Sequence, residues 1–406
     1  MTGTKWGGPI KQGVTLSYSF PGKSSNVSHW DNDYPNNIPF NGLQYFTSAD
    51  QAAVKQALKV ISTYANIKFV EVSDTSSSVG DIRFTKTNYS EGSEPAFAYT
   101  PARTPEAGDV WFVNGNFSTM AAGSIGFGTL LHEIGHAVGL SHPFEGYPQL
   151  PAPIDWVANT VMSYTGSLVG TVSLMPFDIA SLQYIYGKNT SFNSGNTTYT
   201  ASTINALFGV DPNAGTGTGG GFNYFATLYD AGGIDTFVAA NYANLNPWEG
   251  GVSYTYGRET SFGAILAYPR TVSVKIAIGT VIENATLTYA NGTIVGNNVA
   301  NVLKGKTSGT LQNTAGVQID GFGGNDTLYS DRVIATGYSP GGGGGYERNQ
   351  LYGNSGNDKL YGWNYGDNLF GGSGSDYLYG GAGADALSGG SGLDTADYTG
   401  SSAGIS

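Results

Sequence analysis

The chain has 406 residues, 62 of them glycine, with 30 Asp and Glu against 18 Lys and Arg, and no cysteine. Its length predicts two domains, and a net charge of −12 argues against nucleic acid or anionic membranes as partners while suiting bound cations. The absence of cysteine excludes disulfides, cysteine-based zinc sites and cysteine proteases, and no stretch approaches the length of a membrane span.

In chain order, the start Met1-Thr2-Gly3-Thr4-Lys5-Trp6 lacks the apolar core of a secretory signal. Residues 14–20 alternate like a strand. Ser48-Ala49-Asp50-Gln51 reads as a capping box opening a helix whose apolar stripe is Val54, Ala57, Leu58 and Ile61. Strands are predicted over residues 67–72, 81–85, 96–99 and 109–113. A helix with Leu130, Leu131, Ile134 and Val138 on its buried side follows, and a last helix over Pro176–Tyr186 closes at Gly187. His29 reads as structural or exposed, and Asp31-Asn32-Asp33 as a turn.

Three of the four histidines lie in the run His132-Glu133-Ile134-Gly135-His136-Ala137-Val138-Gly139-Leu140-Ser141-His142-Pro143. Two histidines four apart on a helix share a face, so His132 and His136 can hold one ion together. Gly139 can take the positive φ that ends a helix and returns His142 as a third nitrogen ligand. Three imidazoles with an open fourth position suit catalytic zinc, and Glu133, beside the first ligand, can reach a bound water. An isolated H-E-x-x-H is often accidental; the added glycine and third histidine argue against accident here.

Beyond about residue 188 the composition shifts to Gly, Asn, Thr and Ser, with short strand-like runs such as residues 272–278. A nine-residue repeat starts at Gly353, Gly362, Gly371, Gly380 and Gly389. Its sixth position is Asp358, Asp367, Asp376, Asp385 and Asp394, and its eighth is Leu360, Leu369, Leu378, Leu387 and Ala396. This is the pattern of calcium-binding parallel β-rolls: glycines permit a tight turn with inward carbonyls, the aspartate supplies charged oxygen, and the eighth residue points into the core. An earlier turn, residues 321–326, offers Asp326, with Leu328 in the core role but out of phase with the rest. Five consecutive glycines, 341–345, lie in the insertion between them. Residues 283–292 and 304–309 lack the glycine–aspartate signature, which lowers the expected number of calcium ions.

The histidine run resembles the extended signature of the metzincin metallopeptidases, and Thr160-Val161-Met162-Ser163-Tyr164 fits their methionine turn. His-Pro after the third histidine, Met-Ser-Tyr in the turn and the downstream repeats narrow the likeness to the serralysins, over nearly the whole chain. The resemblance implies an α/β (α+β) catalytic domain with a mixed twisted sheet and an active-site helix over residues 1–188. An all-β parallel β-roll over 189–406 would follow, truncated at its C-terminal end. It implies a secreted zinc endopeptidase in which His132, His136 and His142 hold zinc and Glu133 is the general base. Tyr164 would ligate zinc at rest and swing to hydrogen-bond the transition state, while Met162 forms a floor. Residues 96–99 match the edge strand that takes substrate, and residues 230–235 resemble a further family segment. Asp326, Asp358, Asp367, Asp376, Asp385 and Asp394 would hold several structural calcium ions. Partners would be protein or peptide substrates and a proteinaceous inhibitor, acting on a monomer. Export would follow the family's one-step route, read from a C-terminal signal. The competing class is a calcium-dependent adhesion or surface-binding protein with a vestigial peptidase domain, and a thermolysin-like reading would need a glutamate ligand that His142 makes unnecessary.

Overall fold

A computed structural model describes residues 4–22, 42–75, 77–89, 93–146, 149–210, 224–239, 243–245, 252–257, 270–287, 292–305, 316–330, 348–364 and 366–401. His29, the run 31–33, the glycines 341–345 and most of 304–309 lie outside them. The described residues fall into two compact units. The first runs as far as Phe192 and takes in Tyr224–Ala231; the second takes in Asn193–Ile204 and the chain from Gly232 onward.

The first unit is built on a five-stranded sheet of β1 (Val14–Ser19), β2 (Ile67–Glu71), β3 (Ile82–Thr87), β4 (Ala96–Ala98) and β5 (Val110–Val113). Its order is β2-β1-β3-β5-β4, parallel except for β4, which runs antiparallel along β5 at the edge. Helix α1 (Ser48–Tyr64) buries Val54, Ala57, Leu58 and Ile61, the stripe its 3.6-residue period predicts. Its cap corrects the sequence reading by one residue: Thr47, not Ser48, is the N-cap. The Asp50 amide donates to Thr47 Oγ1 at 3.2 Å and the Thr47 amide donates back to Asp50 Oδ2 at 2.9 Å. Aspartate at N3 closes the reciprocal box as well as glutamate would. A buried pair fixes the sheet behind the site: the Arg83 guanidinium meets the Asp109 carboxylate at 2.9 and 2.5 Å, each side chain 3% exposed.

Helix α2 (Ile125–Ala137) starts at Ser124, whose Oγ accepts the Phe127 amide at 3.1 Å. It is apolar nearly all round and buried almost throughout, as a helix in the middle of a unit must be. Three of its glycines are places of close approach. A Cβ on Gly126 would lie 2.4 Å from the Thr119 carbonyl, on Gly128 2.6 Å from Leu168, and on Gly135 2.7 Å from the Met162 sulfur. The helix ends as anticipated at Gly139, φ +102°, with the Leu140 amide donating to Gly135 O. The carbonyls left over at this end are taken by distant groups: Trp6 Nε1 donates to Ala137 O at 2.7 Å and the Tyr186 hydroxyl to Val138 O at 2.9 Å. Helix α3 (Pro176–Tyr186), opened by Pro176 and ended by Gly187 at φ +83°, supplies that tyrosine.

From Gly232 onward the described residues of the second unit are all β; a short helix, Ala201–Phe208, begins in the part before it. One parallel ladder joins Gly292–Val295, Val317–Asp320, Asn349–Ser355, Asp367–Ser373 and Ala386–Ser391. A second joins Thr236–Ala239, Asn284–Leu287, Val302–Lys304, Thr327–Tyr329, Lys359–Tyr361, Tyr377–Tyr379 and Thr395–Asp397. The chain alternates between them, and Leu328, Leu351, Leu360, Leu369 and Leu378 are all buried in the interior. At the last two repeats the expected core positions are not: Leu387 is partly exposed and Ala396 exposed, since fewer strands follow to cover them. Ala243–Leu245 pairs parallel with Gly292–Val295 and antiparallel with Val252–Gly257, which pairs antiparallel with Arg270–Ile276, a strand beginning two residues before the predicted one. This is the parallel β-roll that the nonapeptide period predicts. Among the described residues no helix is long and apolar enough to cross a membrane.

Candidate functional site

His132 and His136 project from one face of α2, and the turn at Gly139 brings His142 back beside them. The three Nε2 atoms form a near-equilateral triangle with sides of 3.1 to 3.2 Å. Ligands bound about 2.0–2.1 Å from one centre at near-tetrahedral angles are about 3.2–3.4 Å apart, so the triangle has the size a single zinc ion requires. Three nitrogens facing one another without donors between them fit a cation on chemistry as well as size. His132 Nδ1 donates to Val161 O at 2.8 Å and His136 Nδ1 to Leu140 O at 3.0 Å. Carbonyls can only accept, so each Nδ1 carries the proton and each Nε2 keeps its lone pair for a metal. His142 Nδ1 lies 2.8 Å from Glu145 Oε1, poorly aligned for a hydrogen bond. Burial, then the neighbouring imidazoles, pull His132 down to about 3 and His136 to about 4, so both are neutral near pH 7, as ligation demands.

Glu133, 5% exposed, lines the same cleft of about 230 Å³. Burial, with the Glu94 carboxylate adding to it, pushes its pKa up to about 8. Tyr164 stands on the rim, 61% exposed, its ring centroid 4.6 Å from that of His142 and 5.8 Å from that of His132. Burial of part of the ring, then Glu94, Glu133 and Glu145, raises its hydroxyl to about 12. Met162 is 1% exposed and packs its sulfur against Gly135, between Glu133 and His136 on the helix. The turn that carries it is held from below by Asp178. This carboxylate accepts from Thr160 Oγ1 at 2.5 Å, the Val161 amide at 2.8 Å and the Met175 amide at 2.9 Å. Val161 in turn offers its carbonyl to His132, which makes Asp178 an outer support of the histidine triangle.

Ala96, Phe97 and Ala98 of the edge strand line the cleft on one side, together with Thr100. Four residues of the cleft carry no signal in the sequence pattern: Glu94, Thr100, Ser141 and Glu145. Glu94 precedes β4 and Glu145 follows the third histidine, and nothing in their local pattern marks them. Phe144, stacked on His142 at 5.0 Å and tilted against Tyr164 at 5.1 Å, also went unnoticed.

The aspartates of the roll lie in two rows at its edges. Most accept, through Oδ1, a backbone amide of the preceding turn, whereas Asp367 Oδ1 accepts the side-chain amide of Asn349 at 2.7 Å. The Asp326 amide donates to Asp358, that of Asp358 to Asp376 and that of Asp376 to Asp394, at 2.8 to 3.0 Å. In the other row the Asp367 amide donates to Asp385 at 2.9 Å. Asp326, Asp358, Asp367 and Asp376 are buried, whereas Asp385 and Asp394 are half-buried. The second oxygen, Oδ2, of Asp326, Asp358 and Asp376 is buried with no hydrogen-bond partner. Around the first glycine of the repeat, Asp358 Oδ2 and Gly371 O both lie 2.5 Å from where a Cβ on Gly353 would sit. A carboxylate oxygen and a carbonyl gathered there without a proton donor fit an oxygen-ligated cation such as calcium.

The family model for the RTX calcium-binding nonapeptide repeat (4 copies) matches residues 317–332, 343–364 and 364–396. The chain is similar to serralysin G of Dickeya chrysanthemi, 31% identical over 308 residues, covering 70% of this chain and 59% of the relative. It is similar also to metalloprotease AprA of Pseudomonas entomophila, 30% identical over 74% of this chain and 63% of the relative, and to serralysin of Proteus mirabilis, 29% identical over 73% and 63%. The chain thus matches about three fifths of the length of these relatives. With its histidine triangle, mixed α/β sheet and repeat-built roll, the chain is similar to the serralysins, and part of its roll matches the RTX calcium-binding repeat.

Proposed function

We propose that the chain is a secreted zinc-dependent endopeptidase, with a peptidase domain over residues 1–188 and a calcium-binding roll over 189–406. The observation that carries the reading is the triangle of three imidazole Nε2 atoms with a buried glutamate beside it in one cleft. His132, His136 and His142 hold the metal. When bound, zinc supplies a Lewis acid and lowers the pKa of a coordinated water to about 7.

Burial alone favours the protonated form of Glu133; the positive charge of a bound zinc would favour its carboxylate, which would accept the proton of the attacking water and pass it to the departing amine. Tyr164 reaches from the rim to donate a hydrogen bond to the oxyanion; losing one such donor costs on the order of 10²–10³ in kcat. Strand β4, paired on one side only, takes the substrate as a further antiparallel strand through backbone groups, which tolerates many sequences. Asp326, Asp358, Asp367, Asp376, Asp385 and Asp394 hold calcium in the roll. A monomer acting on proteins outside the cell, and open to a proteinaceous inhibitor at the cleft, completes the reading.

The test is casein hydrolysis by the chain and by Glu133→Ala, with bound zinc quantified in each. Activity in the parent, lost in the variant with zinc retained, is the expected result. Zinc bound with both proteins inactive would overturn the proposal in favour of a calcium-dependent surface protein whose peptidase site is vestigial.

A further inference from the structure

The roll contains a turn that the repeat pattern hides. Residues 296–304, Gly296-Asn297-Asn298-Val299-Ala300-Asn301-Val302-Leu303-Lys304, fill the nine positions with glycine first and a buried leucine eighth. The second and fourth glycines are replaced by Asn297 and Val299, and the sixth-position aspartate by Asn301. The spatial equivalence is close. A Cβ on Gly296 would lie 2.4 Å from Asn301 Oδ1 and 2.4 Å from Gly321 O, as one on Gly353 would meet Asp358 Oδ2 and Gly371 O. The Asn301 amide also donates to Asp326 Oδ1 at 2.8 Å, in step with the aspartate row.

The chemistry in this turn differs from that of its neighbours. The oxygen that stays unpartnered in Asp326, Asp358 and Asp376 is satisfied here, because Asn301 Oδ1 accepts the Asn297 amide at 2.8 Å. Asn301 Nδ2 donates to Glu283 O at 2.7 Å and to Asn297 Oδ1 at 3.0 Å. Asn297 Nδ2 donates to Ile282 O at 2.9 Å, and Asn297 Oδ1 also accepts the Val299 amide at 3.1 Å. Asn297 is 7% exposed and Asn301 1% exposed, so these bonds stand in place of water. Two carboxamides thus bring the proton donors that a cluster of carbonyls and carboxylates lacks, and every polar atom of the pair named here has a partner.

We infer that residues 296–304 form a metal-independent turn of the roll, in which the amides of Asn297 and Asn301 do the work that calcium does in the aspartate turns. Its strand pairs in register with Asn284–Leu287 before it and Thr327–Tyr329 after it. It therefore offers the first aspartate turn a formed edge whether or not calcium is present, and calcium-driven ordering of the later turns grows from that edge. The inference rests on the calcium reading of the aspartate turns.

Hydrogen exchange of the full chain, in excess calcium and in a calcium-selective chelator, tests it. Amides of Asn297 and residues 301–303 should stay protected in both, while those of residues 356–358 and 374–376 lose protection with the chelator. Loss of protection at residues 297–303 along with the rest would overturn the inference. Protection of both sets in chelator would support the metal-free turn and sink the calcium reading instead. Converting the turn with Asn297→Gly and Asn301→Asp should add one bound calcium per chain by equilibrium dialysis and make residues 297–303 chelator-sensitive. An unchanged calcium count would overturn the exchange of roles.

Discussion

The carboxylate of Asp178 is the most economical place to disturb the metal centre without touching a ligand. It accepts three hydrogen bonds, from Thr160 Oγ1, Val161 N and Met175 N, and the donating residues and Asp178 itself are all at most 4% exposed. Asp178→Ala leaves two backbone amides buried and unpaired, at about 1–3 kcal/mol each, while the Thr160 hydroxyl can rotate to a new partner. The expected loss of stability is about 3–4 kcal/mol. Asp178→Asn keeps one acceptor oxygen but turns an NH₂ toward a donor, so its cost should be smaller, about 2 kcal/mol. Because Val161 also holds His132 Nδ1 at 2.8 Å, zinc affinity should fall 10–100-fold in Asp178→Ala, the usual effect of removing an outer support. Urea unfolding of the zinc-loaded proteins measures the first effect and competition with a chromogenic chelator the second. An Asp178→Ala variant within about 1 kcal/mol of the parent, with unchanged zinc affinity, would show that the turn stands without this carboxylate.

The same group gives a pH signature. Burial, against the bonds from Thr160, Val161 and Met175, pushes Asp178 up to about 6 from an ordinary 3.8. A raised carboxyl binds more protons folded than unfolded between those values, so its favourable contribution is complete below pH 3.8 and is lost as pH rises through 6. The parent should therefore lose about 2–3 kcal/mol relative to Asp178→Asn between pH 4 and 7, read from paired unfolding curves. In the sheet, Arg83→Met strands the Asp109 carboxylate and should cost about 3–5 kcal/mol, whereas adding Asp109→Leu should recover most of it, measured by urea midpoints. In the roll, Gly356 has φ +140° and an added Cβ would sit 1.5 Å from Gly324 O, so Gly356→Ala should lower the calcium-loaded melt clearly. Gly115→Ala, with φ +85° but open space around it, should cost only about 1–2 kcal/mol. Finally, Tyr164→Phe should lower kcat by about 10²-fold with zinc content unchanged, separating its role from that of a ligand.

What could be read before any coordinates was set by strict local geometry. A four-residue histidine spacing, a glycine at the helix end and a nine-residue period each leave one stereochemical solution, and His132, His136, His142 and the leucine interior of the roll follow from them. Contributions made across long stretches of chain escaped. Nothing near Glu94 or Phe144 announces the cleft, and Trp6 meets the end of α2 from 131 residues away. The turn at Gly296 was missed because its glycines and aspartate had been exchanged for residues that solve the same satisfaction problem by other means. The Thr47 cap was missed by one position because aspartate can close the box as glutamate does.

The glycines of α2 carry a consequence for anyone wishing to harden this protein. Replacing a helical glycine by alanine is a standard stabilising move, worth about 1 kcal/mol where space allows. Here Gly126 and Gly128 would drive a methyl group into the Thr119 carbonyl and against Leu168, and Gly135 would drive one into the sulfur of Met162. The helix that presents the histidines is thus intrinsically poor and is held in place by its surroundings. Improvements in heat tolerance have to come from those surroundings, because the histidine-bearing helix has no spare volume at its glycines in which to accept them.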